Sequence, residues 1–440
     1  MRVLLIIFDG LADRPAAELD GKTPLEAART PNLDRLAAEG INGLFHPKSP
    51  GYPLGSPLAL HLMFGYPEDE FPDRGPLLAS ARGLPIAHGD VVLAARFASI
   101  EAQPDSRLRL LQRFVHGREE ECRRLASTIA GNEIDGLVFR YVYAGRGDGT
   151  LFIRGGASFE ITDTDPLGLD LPVLKAQPRV DASDAASAAR SAEALNAYLA
   201  WAHAQLTHHP TSGDGPPINF LITKWAGPKP QYEPFASRWG MRAASLPDEE
   251  VVSGLMLELG FHVEQIEEAG PEADLRRRLT RARALLDEGY EFIHLHSKYP
   301  DPMSHDNNPP RVLEAIEALD IGMETYWRDL ASDDDLITVL TTDHTTPSVW
   351  ADHPRGQFSD QHSGEEVPIT IRGGNVRVDS DTEFGERPTA AGALGHLRGE
   401  DLMPVLLNAA ERANMWEMRP TPSRRLHRPH PDEIEPFRLE

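Results

Sequence analysis

Apolar residues fall along this chain in two rhythms. Val3–Phe8 and Leu336–Leu340 are continuous runs rich in branched side chains, the pattern of central strands covered on both faces. Each ends in polar chemistry: Asp9 after the first, and Asp343-His344 after Thr341-Thr342 in the second. Ile41–His46, Phe261–Ile266, Glu291–His296 and Val367–Ile371 read as further strands. Between them the spacing turns helical. Thr30 is the predicted N-cap of a helix with Pro31 at N1. Pro57 at a first helical position leaves Ser56 at the N-cap of the apolar stretch Leu58–Phe64, where backbone N–H groups favour anions. Glu249–Leu259, Ala273–Glu288 and Arg311–Leu330 are also predicted helices. The alternation predicts an α/β fold, a doubly wound and mainly parallel sheet with helices on both faces.

The rhythm breaks between about Gly89 and Pro230. Asp90–Ile100 and Leu137–Tyr143 read as strands, with Ser106–Ala130 mostly helical between them. Gly145-Arg-Gly-Asp-Gly149 is a hairpin signal before Thr150–Arg154. A small-residue helix, Ala182–Leu206, leads through a Pro/Gly-rich loop to the strand Ile218–Thr223, which ends near Lys224-Trp225. The expected organisation is a core of residues 1–88 and 231–440 with an inserted α+β cap, 89–230. Hinge motion of such a cap would admit substrate and then exclude water. The Pro-, Arg- and His-rich tail after Pro420 is expected to be extended.

Composition narrows the partners. At 440 residues the chain is long enough for a large core, and 44 basic against 68 acidic residues give a net charge of −24. Such a surface repels nucleic acid and anionic membranes, so neither is an expected partner. An anionic substrate would need metal ions or a few placed Lys and Arg. The single cysteine, Cys122, excludes an intramolecular disulfide and a cysteine metal cluster. No run approaches the ~20 apolar residues of a membrane span. The opening run passes into Asp9-Gly10 without a small-residue cleavage site, so it reads as a strand rather than a signal peptide. A cytoplasmic location is expected.

In open α/β sheets ligands gather at the carboxyl ends of strands, and polar clusters collect at three such ends here. They are Asp9, Asp301-x-x-x-His305 after Glu291–His296, and Asp343-His344. Ser56 at a helix start and His362 in Asp360-Gln-His362-Ser-Gly364 join them. Three carboxylates, three histidines and a hydroxyl suffice for two metal ions, which can clamp the attacking and leaving oxygens of a phosphoryl displacement. A serine held there becomes a nucleophile.

Several segments, in order along nearly the whole chain, carry a family resemblance. They are Phe8-Asp9-Gly-Leu-Ala-Asp-Arg14-Pro, Thr30-Pro-Asn-Leu-Asp-Arg-Leu36, Gly55-Ser56 with Phe64-Gly-Tyr66, and Arg74-Gly-Pro76. Ile161-Thr-Asp-Thr-Asp-Pro166, His296-x-Lys298-x-x-Asp301-x-x-x-His305-Asp306, Thr342-Asp343-His344-x-Thr-Pro347 and His362-Ser-Gly-Glu-x-Val-Pro368 follow. The chain resembles the archaeal-type, cofactor-independent (2,3-bisphosphoglycerate-independent) phosphoglycerate mutases of the alkaline phosphatase superfamily. The resemblance implies one metal held by Asp301, His305 and His362, with His353 in Asp352-His353-Pro354 as the alternative last ligand. It implies a second held by Asp9, Asp343 and His344, with Ser56 bridging as nucleophile. The donor set suits Mn²⁺ and Zn²⁺ alike, and Mg²⁺ less well given three histidines.

Recognition positions depart from the family pattern. Its Gly-Ser-Asp-x-Ala-His reads Gly55-Ser56-Pro57-Leu58-Ala59-Leu60 here, so a proton-shuttling Asp and a His are replaced. His61 is one place off and would point elsewhere on a helix. The family's Arg-Gly-Ala-Gly appears as Lys224-Trp225-Ala-Gly227, and its Leu-Ile-Lys-Gly as Val251-Val-Ser253-Gly254. The remaining candidate cations are Lys298, which sits within the metal motif and is the catalytic candidate, and Arg74, Lys224, Arg118, Arg146 and Arg154. The first reading is therefore a metal-dependent phosphoryl-transfer enzyme resembling phosphoglycerate mutase, acting on a small phosphorylated substrate. A phosphate-ester hydrolase of the same superfamily is the alternative, and a non-catalytic metal-binding module the third. Physiological substrate and oligomeric state stay open at this point.

Overall fold

The structure is a computed structural model that describes residues 1–209, 215–349, 361–379 and 383–439. Its strands, in chain order, are β1 (Arg2–Phe8), β2 (Gly40–His46), β3 (Val91–Ala102), β4 (Leu108–Gln112), β5 (Gly131–Ile134), β6 (Leu137–Gly145) and β7 (Asp148–Arg154). They continue with β8 (Phe220–Pro228), β9 (Ala243–Leu246), β10 (His262–Val263), β11 (Phe292–Ser297), β12 (Leu336–Thr341), β13 (Val367–Arg372) and β14 (Gly395–Arg398). The chain divides into two compact units. One comprises Met1–Phe71 and the described residues from Tyr232 onward, and the other Pro72–Gln231.

The first unit is built on an eight-stranded sheet in the order β10-β9-β11-β1-β12-β13-β2-β14. Seven strands run parallel and β13 alone runs against its neighbours β12 and β2. Six of the seven residues of β1 and all of β11 and β12 are buried, as continuous apolar runs in a sheet covered on both sides require. On one face Leu4, Ile6 and Phe8 pack with Leu33 and Leu36 of the helix Pro31–Ala38. Leu275, Leu279 and Ala282 of Pro271–Asp287, and Val312, Ile316 and Leu319 of Pro309–Gly322, complete that layer. On the other, Phe64 at the end of the helix Ser56–Met63 meets Phe292 and His294 of β11. The α/β, doubly wound expectation therefore holds, with one reversed strand.

The second unit carries its own antiparallel sheet, β4-β3-β7-β6-β5, with β8 on β3. Phe97, Phe139, Leu151, Tyr198 and Leu221 are among the residues of its core. Cys122 lies in this core, where burial pushes its thiol up to about 11, so it is a packing residue. The unit begins at Pro72 rather than at Gly89, because the helix Arg74–Ala81 packs on β3 and β8.

Several expected elements change form. Ser106–Ala130 is helical only over Glu119–Thr128. A turn with Ser106 at φ +67° folds Leu108–Gln112 back on β3 as a hairpin strand instead. Arg311–Leu330 is two helices, Pro309–Gly322 and Glu324–Asp329, meeting at Met323. Phe261–Ile266 shortens to a two-residue strand. β9 and β14, which carry little periodicity, were not expected.

Candidate metal centre

Asp9 follows directly on β1, and its backbone N–H still pairs with Ser297 O at 2.8 Å. Asp343-His344 follow β12 two residues past its end. Isolated bridges continue the ladder beyond the strands, Ala12 to Thr345 and Thr345 to Ser363. Because β13 is reversed, it starts where its neighbours finish, and His362 just before it arrives at the same edge as Asp9 and His344. The His344 and His362 rings stack there with centroids 3.6 Å apart and planes 15° apart. Asp301 and His305 open and close the short helix Asp301–His305, and the i,i+4 spacing sets both on one side.

Ser56 is the first residue of the helix Ser56–Met63, with Gly55 in the capping position. This differs by one place from the expected N-cap. The hydroxyl turns to the strand ends, 3.1 Å from His344 Nε2 and 3.4 Å from Asp9 Oδ2.

The spacing of the donor atoms tests whether metals fit. Two ligand atoms each ~2.1 Å from a tetrahedral ion stand about 3.4 Å apart. His344 Nε2 lies 3.3 Å from Asp9 Oδ1 and 3.3 Å from Asp343 Oδ2. Asp301 Oδ1 lies 3.2 Å from His305 Nε2 and 3.6 Å from His362 Nε2. Donor atoms of Asp301, His344 and His362 lie within 4.8 Å of one another, as do those of Asp9, His296 and Asp343. His344 thus stands between two groupings. The Asp9 grouping is fully buried, while Asp301 and His362 are partly exposed.

Electrostatics agree. Burial, then the facing carboxylates of Asp343 and Asp301, push Asp9 well above the usual carboxylate range. Asp343 Oδ2 is buried without a hydrogen-bond partner. Several buried carboxylates pointing at one another cost too much to be left uncompensated, and cations are the usual remedy. Asp301 is opposed by burial, but a hydrogen bond from His305 and the charges of His305, His344 and His362 hold it well below its ordinary value. Burial, then His344, pulls His362 down to about 3. Imidazoles kept neutral are the form that ligates.

The ring nitrogens facing away are anchored. His344 Nδ1 meets Thr346 Oγ1 at 3.0 Å, and His362 Nδ1 meets Leu54 O at 2.6 Å, the outer contacts that fix metal-ligating imidazoles. Thr346 Oγ1 in turn donates to Asp301 Oδ1 at 2.8 Å. Gly10, at φ +62°, is required here: a Cβ would fall 2.5 Å from Thr346 Oγ1 and 2.9 Å from Asp301 Oδ1.

All seven ligand candidates therefore converge. His353 lies outside the described residues. The cations are placed less uniformly. Lys298 pairs with Glu268; burial works against its ammonium, but Glu268 holds its pKa above the ordinary value. Arg154 is tied to Asp90 at 3.1 Å, and Arg118 to Glu121 at 2.7 Å and Pro216 O at 2.8 Å. Those two arginines thus have framework contacts within the second unit. Lys224 sits in mid-strand of β8 rather than at its end, 3.4 Å from Asp165, and burial pulls it down to about 8. Its Nζ and the Arg74 guanidinium lie 3.9 and 4.8 Å from the Trp225 ring centroid. Trp225 itself holds φ +59°, a costly conformation for an aromatic residue. His61 is buried between Pro67 O at 2.7 Å and Tyr232 OH at 3.1 Å, a packing role.

Sequence reasoning missed Arg278. Its wholly buried guanidinium joins Asp274 at 2.7 Å, Asp248 at 3.0 Å and the carbonyls of Leu246 and Pro247. Asp248 also accepts from the Lys298 backbone at 3.1 Å, so Arg278 braces the loop that leads to Asp301. Its only signal was an arginine on the apolar stripe Leu275–Leu279–Ala282.

Comparison with known proteins agrees with a metal-dependent class. The Metalloenzyme superfamily matches residues 1–409. A 2,3-bisphosphoglycerate-independent phosphoglycerate mutase of Methanocaldococcus jannaschii is 35% identical, covering 99% of both chains. A solved protein of Pyrococcus horikoshii superposes with a TM-score of 0.76 at 29% identity, over 95% of this chain and 99% of that one. The cofactor-independent phosphoglycerate mutase of Thermoplasma acidophilum gives 0.61 at 27%, over 93% and 99%. The chain belongs to the Metalloenzyme superfamily and, within it, to the family of 2,3-bisphosphoglycerate-independent phosphoglycerate mutases.

Proposed function

We propose that this chain is a metal-dependent phosphomutase that moves a phosphoryl group between the 2- and 3-hydroxyls of glycerate through Ser56. The observation that carries the reading is Ser56 Oγ, 3.1 Å from His344 Nε2 and 3.4 Å from Asp9 Oδ2, at an edge where Asp301, His305, Asp343 and His362 also converge. Asp301, His305 and His362 would hold one divalent ion, and Asp9, Asp343 and His344 the other, with Ser56 between. Mn²⁺ and Zn²⁺ suit these donors best. When bound, the ions supply positive charge for the phosphoryl oxygens and lower the pKa of the serine hydroxyl.

The protein's own part is alignment and proton handling. Ser56 Oγ attacks phosphorus; the Oγ–H bond breaks, the new O–P bond forms, and the bond to the substrate oxygen breaks. The departing alkoxide takes up a proton and leaves as glycerate. A second attack on phosphoserine, by the other glycerate hydroxyl, restores Ser56. The Ser56 hydroxyl stands 3.4 Å from Asp9 Oδ2, and the proton it loses is the one the departing alkoxide takes up. Lys298, after release from Glu268, is the proposed cation for the anionic substrate.

Hydrolysis is the second reading, favoured by one observation. Pro57 and Leu60 are buried apolar residues at the positions of the family's Asp and His, so fewer polar groups beside Ser56 hold a glycerate acceptor against water. Purified protein reloaded with Mn²⁺ and given 3-phosphoglycerate, followed by ³¹P NMR, separates the two. Accumulating 2-phosphoglycerate supports the mutase, and inorganic phosphate alone rejects it for the hydrolase.

A further inference from the structure

His296 is the most deeply placed imidazole at the metal edge, and no hydrogen bond accounts for it. It is wholly buried, and neither ring nitrogen has a hydrogen-bond partner among the described residues. Register explains where it points. Ile7 pairs with His296 across β1 and β11, and the alternation of side chains brings Asp9, two residues on, to the same face. His296 Nε2 lies 3.6 Å from Asp9 Oδ2, within the same 4.8 Å cluster as a donor oxygen of Asp343. Asp343 Oδ2 is likewise buried without a hydrogen bond among the described residues, with His344 Nε2 3.3 Å away. His294, two residues earlier on the same face, meets Ser245 Oγ through Nδ1 at 2.8 Å and lacks a hydrogen bond only at Nε2, whereas His296 lacks one at both nitrogens. Buried polar groups are rarely left unpaired, and here both ring nitrogens of His296 lack a hydrogen bond beside the carboxylates of Asp9 and Asp343.

We propose that His296 is a ligand of the metal ion held by Asp9 and Asp343, giving the buried half of the site a nitrogen donor besides His344. The inference rests on the two-metal reading above. It makes that half-site richer in nitrogen than the family set alone, which favours Zn²⁺, Co²⁺ or Mn²⁺ over Mg²⁺.

Two measurements, neither dependent on turnover, test it. Histidine-selective ¹⁵N NMR of the zinc-loaded wild-type chain counts metal-bound imidazoles. The expected set is His296, His305, His344 and His362, and a spectrum with His296 unligated overturns the inference. Co²⁺ titration into metal-free His296→Phe and His296→Asn is expected to show one of two ions weakened roughly 10- to 100-fold, with its visible absorption altered. Two ions bound by those variants with wild-type affinity and spectrum would overturn it while leaving the two-metal reading intact. A wild-type chain that takes up no ion would overturn both. Should either variant not fold, the wild-type NMR count decides alone.

Discussion

Ser56 owes its position to a helix start that asks nothing of its side chain. Gly55 takes the cap, so the hydroxyl is available to Asp9 and His344. Replacing Ser56 with Ala should cut phosphoryl transfer at least about 10³-fold while the melting temperature of the metal-free protein shifts by no more than a degree or so. Steady-state assay and calorimetry on the same preparation check this. Gly10 carries a matching prediction. Gly10→Ala drives a Cβ against Thr346 and Asp301 and should weaken metal binding at least about 10-fold, read by titration of the metal-free protein. Glu386 offers a pH test away from the metals. Burial raises its carboxyl to about 7, against hydrogen bonds from the Asp13 backbone and Thr23. A folded pKa above the unfolded value means the stabilising contribution is present below about 4.5 and lost as pH rises through about 7. Glu386→Gln should therefore raise the melting temperature by roughly 2 °C at pH 8 and change it little at pH 4.5. The candidate ligands were legible in the sequence because metal chemistry at a strand end calls for Asp and His there. Arg278 and His296 were not, because a buried arginine and a strand histidine look like ordinary interior positions until the loops and registers around them are known.

Strand direction matters more to this site than strand identity. The run Val367–Ile371 was visible as a strand, but nothing in its composition said that it runs antiparallel to β12. That reversal is what brings His362, which precedes β13, to the edge where β1, β11 and β12 end. Local signals failed where tertiary pairing decided the outcome. Leu108–Gln112 became a strand because its turn returns it to β3, and charge-rich flanks hid the alternation. In the second unit, the helix Arg74–Ala81 lies so close to β3 and β8 that a Cβ on Gly75 would fall 2.4 Å from both Trp225 O and Val92 O. Gly75→Ala should cost about 1–3 kcal/mol, seen in calorimetry as a lower melting temperature.

At the scale of the molecule, a chain of net charge −24 has to receive an anion at a cluster of carboxylates. The two divalent ions proposed here would reverse the local sign, since their charge would exceed what Asp9, Asp301 and Asp343 cancel. Among the described residues no helix is long and apolar enough to cross a membrane. Chelation should abolish turnover and lower the melting temperature, by about 2.7 kcal/mol of stability for each ion held at one hundred times its Kd. Mn²⁺ should restore both. The central claim is a phosphoryl group on Ser56, and acid-quenched protein analysed by peptide mass spectrometry tests it most directly. With metal and 3-phosphoglycerate, phosphate is expected on the peptide carrying Ser56, and none in metal-free protein or Ser56→Ala. Turnover that proceeds with Ser56 unmodified, or with the phosphate on another residue, would contradict the account.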